Sequence, residues 1–410
     1  MPRVDHAQFT GRRMRGGRKP LTLGRTKIVV LIFGCLFLGL VAPVLTLVIF
    51  GFFIFSGARR SSIAGVATGV TVAAFFGWMN AQKEIVGDWV WYTEHYRLLQ
   101  HLSLADYLGH YIVPFQIKWS EPVYYSGAFA LTRITHGSIS ALAVVVTASI
   151  YLPLTLGINT MLAKSALRPV ERSFVVLMAL LGGVTFTLTT QLVRQEIASA
   201  FLALAILQYV YGRHKLGVLL AAVAVLTHNS SLAPLAACLV AAAYVAPSGK
   251  ILRIRFAIAG GAFIFVGFVA AHALSTQGYD PLSKNDGSIG LLVFAADAAL
   301  LLVFVRLRES MSWLGPLHAF LVVALSLHVA FTLSLVNEPV PFLRMYFYVE
   351  VFRAIMIAAI TVTLIRRKSL AVVAVPALAL MLIYCELRIT RAPYSYGGGI
   401  VQHLFAPLLL

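Results

Sequence analysis

Long apolar runs alternate with short polar or basic interruptions along nearly the whole chain. Ile28 to Phe55, Ser138 to Ile158, Phe256 to Leu274 and Leu370 to Leu387 each reach membrane-spanning length, and each is bounded by basic or polar residues. Helices are expected throughout, because an open sheet edge leaves backbone groups unsatisfied in hydrocarbon. Ile28 to Phe55 is long for one span and carries Pro43 in its middle, so the pattern predicts two short helices in a hairpin. The expected fold is an all-α polytopic transmembrane bundle of roughly 11–13 spans, that hairpin included. Residues 1–27 read as a basic cytoplasmic tail, 28–393 as a membrane domain with an outer-face segment at 81–137, and 394–410 as a C-terminal tail.

Composition strengthens this reading. The 410 residues are 60% hydrophobic and 12% charged, with a mean hydropathy of +0.86, where about a quarter of a soluble domain is charged. A water-soluble globule could not cover such a surface. The net charge of +18 lies in short clusters between apolar runs, a topology signal rather than a nucleic-acid surface. Arg12, Arg13, Arg15, Arg18, Lys19, Arg25 and Lys27 read as a cytoplasmic anchor that stays attached, since no small-residue cleavage site follows. The clusters at Lys164 to Arg172, Arg213 and Lys215, Lys250 to Arg255, Arg306 and Arg308, and Arg366 to Lys368 then share the inner side, provided Val123 to Gly137 is a re-entrant or interfacial helix. Cys35, Cys238 and Cys385 sit in apolar segments with no metal-like or paired spacing.

The opposite side collects carboxylates and isolated arginines. In Gly87-Asp88-Trp89-Val90-Trp91-Tyr92-Thr93-Glu94-His95-Tyr96, a helix puts Asp88, Tyr92 and Tyr96 on one stripe. Aromatic rings suit sugar faces and a carboxylate suits a general base; an interfacial aromatic belt with a solvated acid fits the same stripe. Glu121-Pro122 with Tyr124 places a carboxylate at a helix start, where capping is the plainer role. Arg194-Gln195 stands between two apolar runs, so the guanidinium is expected to face a polar cavity, against a phosphate or in an ion pair with Glu196 or another carboxylate. His228-Asn229-Ser230-Ser231 and Pro234 form a polar break at membrane depth, fit for phosphate contact or for helix-to-helix hydrogen bonding. Arg344 and Tyr348, one turn apart, suit an anionic head group; Asp297 and Arg353 lie deeper, with Glu350 three residues before Arg353. No nucleotide-binding, metalloprotease or serine-hydrolase motif occurs, and no metal or cofactor is expected.

The order Gly87-Asp88 with Tyr92 and Tyr96, Glu121-Pro122 with Tyr124, Arg194-Gln195 with Ala198, then His228 and Ser230 resembles the EpsG family, which is similar to Wzy-type polysaccharide polymerases. The resemblance runs from about Gly87 to Ser231, with a weaker echo at Arg344 and Tyr348. It implies a multi-pass protein of the bacterial inner membrane and a GT-C-like, metal-independent glycosyltransferase. Such an enzyme polymerises polyprenyl-diphosphate-linked oligosaccharides at the outer face. On that basis Arg194 is expected at the diphosphate with His228 and Arg344 as helpers, Asp88 or Glu121 as the base, and Gln195 on a sugar or phosphate oxygen. Partners expected by analogy are a flippase, a chain-length regulator and export proteins, besides membrane lipid, with no nucleic acid. The rival readings are a single-sugar GT-C transferase using a polyprenyl-phosphate donor and a lipid-linked glycan flippase. An intramembrane path of charges would favour the flippase.

Overall fold

The computed structural model describes residues 61–109, 121–245 and 291–405, with short helical pieces between 259 and 269. The basic tail, the expected hairpin at 28–55, most of the run from Phe256 to Leu274, and the cluster Lys250, Arg253 and Arg255 lie outside the described residues. So do residues 110–120 of the expected outer segment, together with Cys35 and 406–410.

The described residues form helices α1 (Ser61–Ala81), α2 (Asp88–Leu99), α3 (Leu104–Gly109), α4 (Pro122–Thr135), α5 (Ile139–Leu162), α6 (Pro169–Gly183), α7 (Val193–Val210), α8 (His214–Thr227), α9 (Leu232–Val245), α10 (Leu291–Arg306), α11 (Pro316–Leu333), α12 (Pro339–Phe347), α13 (Glu350–Lys368), α14 (Leu370–Thr390) and α15 (Ile400–Leu404). Short 3-10 turns occupy Phe186–Leu188, Asn229–Ser231 and Arg308–Leu314, and no strand occurs among these residues. Six helices here are long and apolar enough to cross a membrane: α1, α5, α7, α11, a run Pro341–Lys368 that takes in α13, and α14. The chain is an all-α, multi-pass membrane protein. Helices α8 and α9 are apolar but shorter, and α4 has 14 residues, too few to span a hydrocarbon core of about 30 Å at 1.5 Å per residue.

The centre of the bundle is built by α1, α5, α6, α7 and α13. Close approach in lipid needs small residues, because lipid tails offer no hydrophobic drive toward association. Gly65 and Gly69, one turn apart on α1, meet the Asn159 and Thr155 side chains of α5, and a Cβ at either glycine would collide with them. Gly183 at the end of α6 lies as tightly against Ala354 of α13. Polar side chains inside are paired across helices: Asn80 Nδ2 donates to Thr147 Oγ1 and to Thr189 Oγ1, both at 2.7 Å. Helices α2 and α4 form a small layer over the end of the bundle where α7 begins and α8 ends, with α4 also resting on α8.

Candidate functional site

Glu121 precedes Pro122, whose fixed φ opens α4 at its first position. Its carboxylate does not cap that helix. Instead it is 2% exposed and reaches two distant segments: Oε2 accepts from Arg194 Nη1 at the start of α7, and Oε1 meets His228 Nδ1 at 2.7 Å and the Asn229 amide at 3.4 Å. Burial opposes the charged form of Glu121, but the His228 hydrogen bond, the Arg194 charge and the Asn229 amide outweigh it and hold the carboxyl below its ordinary value. Arg194 is thereby neutralised by Glu121 and not by Glu196, its near neighbour in sequence.

Aromatic rings wall the guanidinium. Arg194 Nη1 donates to Tyr125 Oη at 3.2 Å, with the guanidinium carbon 5.9 Å from the centre of that ring. The Tyr92 hydroxyl lies within its field: burial pushes that phenol above its ordinary value, and the Arg194 charge pulls it back in part. Tyr92 packs edge-on against Tyr124 with ring centres 6.0 Å apart. Tyr125 does the same with His95 at 5.5 Å. Burial, then the Arg194 charge, lowers His95 to about 4, so its ring is neutral near pH 7.

Asp88 opens α2 behind Gly87, which takes a φ of 61° suited to glycine. The Asp88 amide is held by Gln191 Oε1 at 3.0 Å, which fixes the start of α2 beside the start of α7. Among the described residues its carboxylate forms no ion pair closer than 4 Å. The residue is exposed at its edge, and partial burial of the carboxyl raises it above the usual carboxylate value, against the pull of Arg344, Lys83 and Arg194.

Sequence reasoning passed over Lys83. It is 5% exposed, and its ammonium lies 4.1 Å from the centre of the Tyr394 ring and 6.0 Å from that of Trp89. Burial lowers it to about 7, with Asp88 pulling the other way. In Gln82-Lys83-Glu84 it reads as a hydrated loop charge, and only the return of the C-terminal segment over it, where the Glu84 amide bonds the Ser395 carbonyl at 2.9 Å, makes it a buried one. Tyr125 was equally hidden, as the second of two adjacent tyrosines.

The structure brings Asp88, Tyr92, Glu121, Tyr124, Arg194 and His228 to one end of the bundle. Other expected site residues serve as fasteners around it. Tyr96 is buried with its hydroxyl on Thr135 Oγ1, pinning α2 to α4. Gln195 Nε2 donates to the Arg344 carbonyl at 2.6 Å, tying α7 to α12. Ser230 Oγ and Tyr348 Oη are 2.8 Å apart and close the turn between α8 and α9 onto the α12–α13 junction. Tyr348 is fully buried there, whereas Arg344, four residues before it, is exposed. No group of three His, Cys, Asp or Glu side chains suited to a metal occurs among the described residues.

The arrangement can hold an anion and accept a proton. Arg194, His228 and Arg344 supply cationic or hydrogen-bonding contacts, Asp88 supplies a carboxylate, and the tyrosines supply flat walls. No curated protein matches the chain, and no solved structure does. Residues 66–402, which contain this entire constellation, match the EpsG family model, and the chain belongs to the EpsG family.

Proposed function

We propose that this protein polymerises polyprenyl-diphosphate-linked oligosaccharide repeat units at the outer face of the bacterial inner membrane. The observation that carries the reading is the joining of Glu121 to Arg194 and His228, which lie 73 and 107 residues from it in the chain, beside the Asp88 carboxylate, which has no ion pair among the described residues, on an aromatic-lined helix.

In this reaction the bond from the anomeric carbon of the growing glycan to its diphosphate breaks. A hydroxyl oxygen of the next lipid-linked repeat bonds to that carbon, and its proton leaves. The departing polyprenyl diphosphate carries the negative charge, so the protein's task is to orient two lipid-anchored partners and to stabilise that charge. Arg194 is the diphosphate contact, with His228 and the exposed Arg344 beside it.

Sequence left Asp88 and Glu121 as alternative bases, and the geometry favours Asp88. Glu121 already accepts from Arg194, His228 and the Asn229 amide and is held low; its role is to aim the Arg194 and His228 side chains. Asp88 has a carboxylate with no ion pair among the described residues, and burial moves it upward from its ordinary value, the direction that makes a carboxylate a better base. Tyr92 and Tyr124 offer faces for sugar rings.

The test is the size distribution of glycan made by a strain lacking this protein and complemented with wild type, Asp88→Asn or Arg194→Ala, with membrane abundance matched. A ladder of repeats with wild type, and single lipid-linked repeats with either variant, supports the reading. A product lengthened by one sugar identifies a simple transferase, and repeats held on the inner leaflet identify a flippase; either overturns it.

A further inference from the structure

Two consecutive helices leave a fissure beneath the site. Helix α8 ends at Thr227 and α9 starts at Leu232, with His228 and the turn Asn229–Ser231 between them. Yet the two pack on different partners, α8 on α7 and α9 on α11. Gly217 shows what draws α8 onto α7: a Cβ there would meet Tyr209 Cβ at 2.8 Å and the Ala205 carbonyl oxygen at 3.0 Å, so glycine is what lets these helices lie so close. The two helices part from the turn that carries His228, and the gap between them is floored by α7 and by Phe320 of α11.

The fissure holds about 440 Å³ of space up to its open side, within the roughly 300–1,000 Å³ usual for ligand pockets. No charged side chain lines it. Leu202, Ile206 and Phe320 are buried in its floor, while Val218 of α8 and Leu239 of α9 stand exposed on its two lips. At 1.5 Å per residue, Leu202 lies about 12 Å along α7 from Arg194, and Ala221 about 10 Å along α8 from His228. The fissure therefore starts below the site and runs away from it down the same helices. Its occupant is then one apolar chain with an anionic end at Arg194 and His228. A bilayer phospholipid brings two chains, and the fissure is one. Lipid tails are as apolar as its walls, so only shape and head group can select among them. The small side chains of Ala221 and Cys238 leave indentations in the walls, which a regularly methyl-branched chain fills and a straight acyl chain does not.

We propose that the fissure between α8 and α9 seats the isoprenoid chain of the lipid diphosphate whose head group meets Arg194 and His228. In the reaction above that lipid is the donor, the one that carries the growing glycan. Its identification as the donor rests on the function proposed above, whereas the fissure's preference for an isoprenoid diphosphate does not. Open between Val218 and Leu239, the fissure also lets the departing polyprenyl diphosphate leave sideways into the bilayer once the glycan has moved to the acceptor.

Photolabelling of the purified full-length protein in lipid nanodiscs tests this, with geranylgeranyl diphosphate bearing a diazirine at the far end of its chain as the probe. Labelled peptides are expected from 202–209, 217–221 and 235–242. Excess unlabelled geranylgeranyl diphosphate should reduce that labelling about tenfold, whereas phosphatidylglycerol and a straight hexadecyl diphosphate should not. Labelling spread over all lipid-facing helices, or equal competition by phosphatidylglycerol or the straight chain, overturns the proposal. Ala221→Phe, which fills the fissure, is expected to lower both labelling and glycan transfer about tenfold at matched abundance. Leu239→Trp, on the exposed lip, should do the same without disturbing the interior. Leu219→Phe, exposed on α8 and outside the fissure, should leave both unchanged. Blocked variants that label and transfer like wild type overturn the proposal. If the label maps to the fissure but wild type transfers no glycan, the polymerase reading fails and the fissure stands as an isoprenoid site; if wild type polymerises and the label falls elsewhere, the fissure fails and the polymerase reading stands.

Discussion

At the scale of single residues, Lys83 has the clearest thermodynamic consequence. Burial lowers its amine to about 7 in the folded chain, against an ordinary 10.5 when unfolded. Between those values the unfolded chain holds a proton that the folded chain has released, so stability rises with pH across that window. Below it both states are protonated, and the fold carries the whole cost of a buried ammonium, offset only in part by the Tyr394 and Trp89 rings. Lys83→Met, which keeps the length and removes the charge, is therefore expected to raise the melting temperature in detergent most at pH 6. The gap to wild type should close as pH approaches 10. A gain independent of pH would show that the ammonium is not the source of the cost.

The same residue shows where sequence ran out at this scale. Residue types at the site were legible because carboxylates, an isolated arginine and a histidine in so apolar a chain have few uses. Roles were not. Glu121 read as a helix cap or a base, yet its carboxylate turns away from its own helix toward Arg194 and His228. Tyr96, Gln195 and Tyr348 read as substrate contacts, yet their polar atoms hold helices together. Each of those outcomes depends on a partner tens of residues away, which no local spacing encodes.

At the scale of elements, polarity and length anticipate the helices better than their pairings. The apolar runs marked α5 and α14 directly, and the moderately apolar stretch with Arg133 was expected not to cross; it forms α4, with 14 residues. What periodicity alone left unread is the face on which α1 meets α5. The Gly65-to-Gly69 spacing supplies it, as a flat strip where Asn159 and Thr155 sit against backbone. Gly69→Val would push two β-branched side chains together at a crossing with no room, and overpacking of this kind costs about 1–3 kcal/mol. The expected result is a lower melting temperature in detergent and reduced membrane abundance. Gly127 on α4, where an added Cβ meets nothing within 4 Å, serves as the control: Gly127→Ala is expected to leave both unchanged. Equal losses at both positions would mean that glycine content, not the α1–α5 crossing, sets the stability.

At the scale of the whole molecule, the site is the seam between two parts of different character. The bundle of α1, α5, α6, α7 and α13 is packed through small residues and a continuous apolar core, into which α2 sends Trp89 and Tyr96 and α4 sends Tyr124, while the outer sides of α2 and α4, with α3, keep a small apolar cluster of their own around Leu99, Tyr107 and Ala128. Polar contacts add to those three aromatic anchors in joining the layer to the bundle: Glu121 to Arg194 and His228, and the start of α2 to Gln191. Removing Glu121 leaves Arg194 and His228 without their shared carboxylate, and breaking one side of a buried pair costs about 3–5 kcal/mol. That loss falls on the seam and spares the core. Glu121→Ala should then speed amide hydrogen exchange in residues 88–99 and 122–135 while α5 and α13 stay protected, since local opening follows the weakest cooperative unit. Glu121→Gln, whose single amide oxygen keeps one of the two contacts and whose NH2 loses the other, should lie between alanine and wild type. Exchange that rises equally in α5 would mean that Glu121 holds the whole bundle together, and the layer over the site would then not be a separable unit.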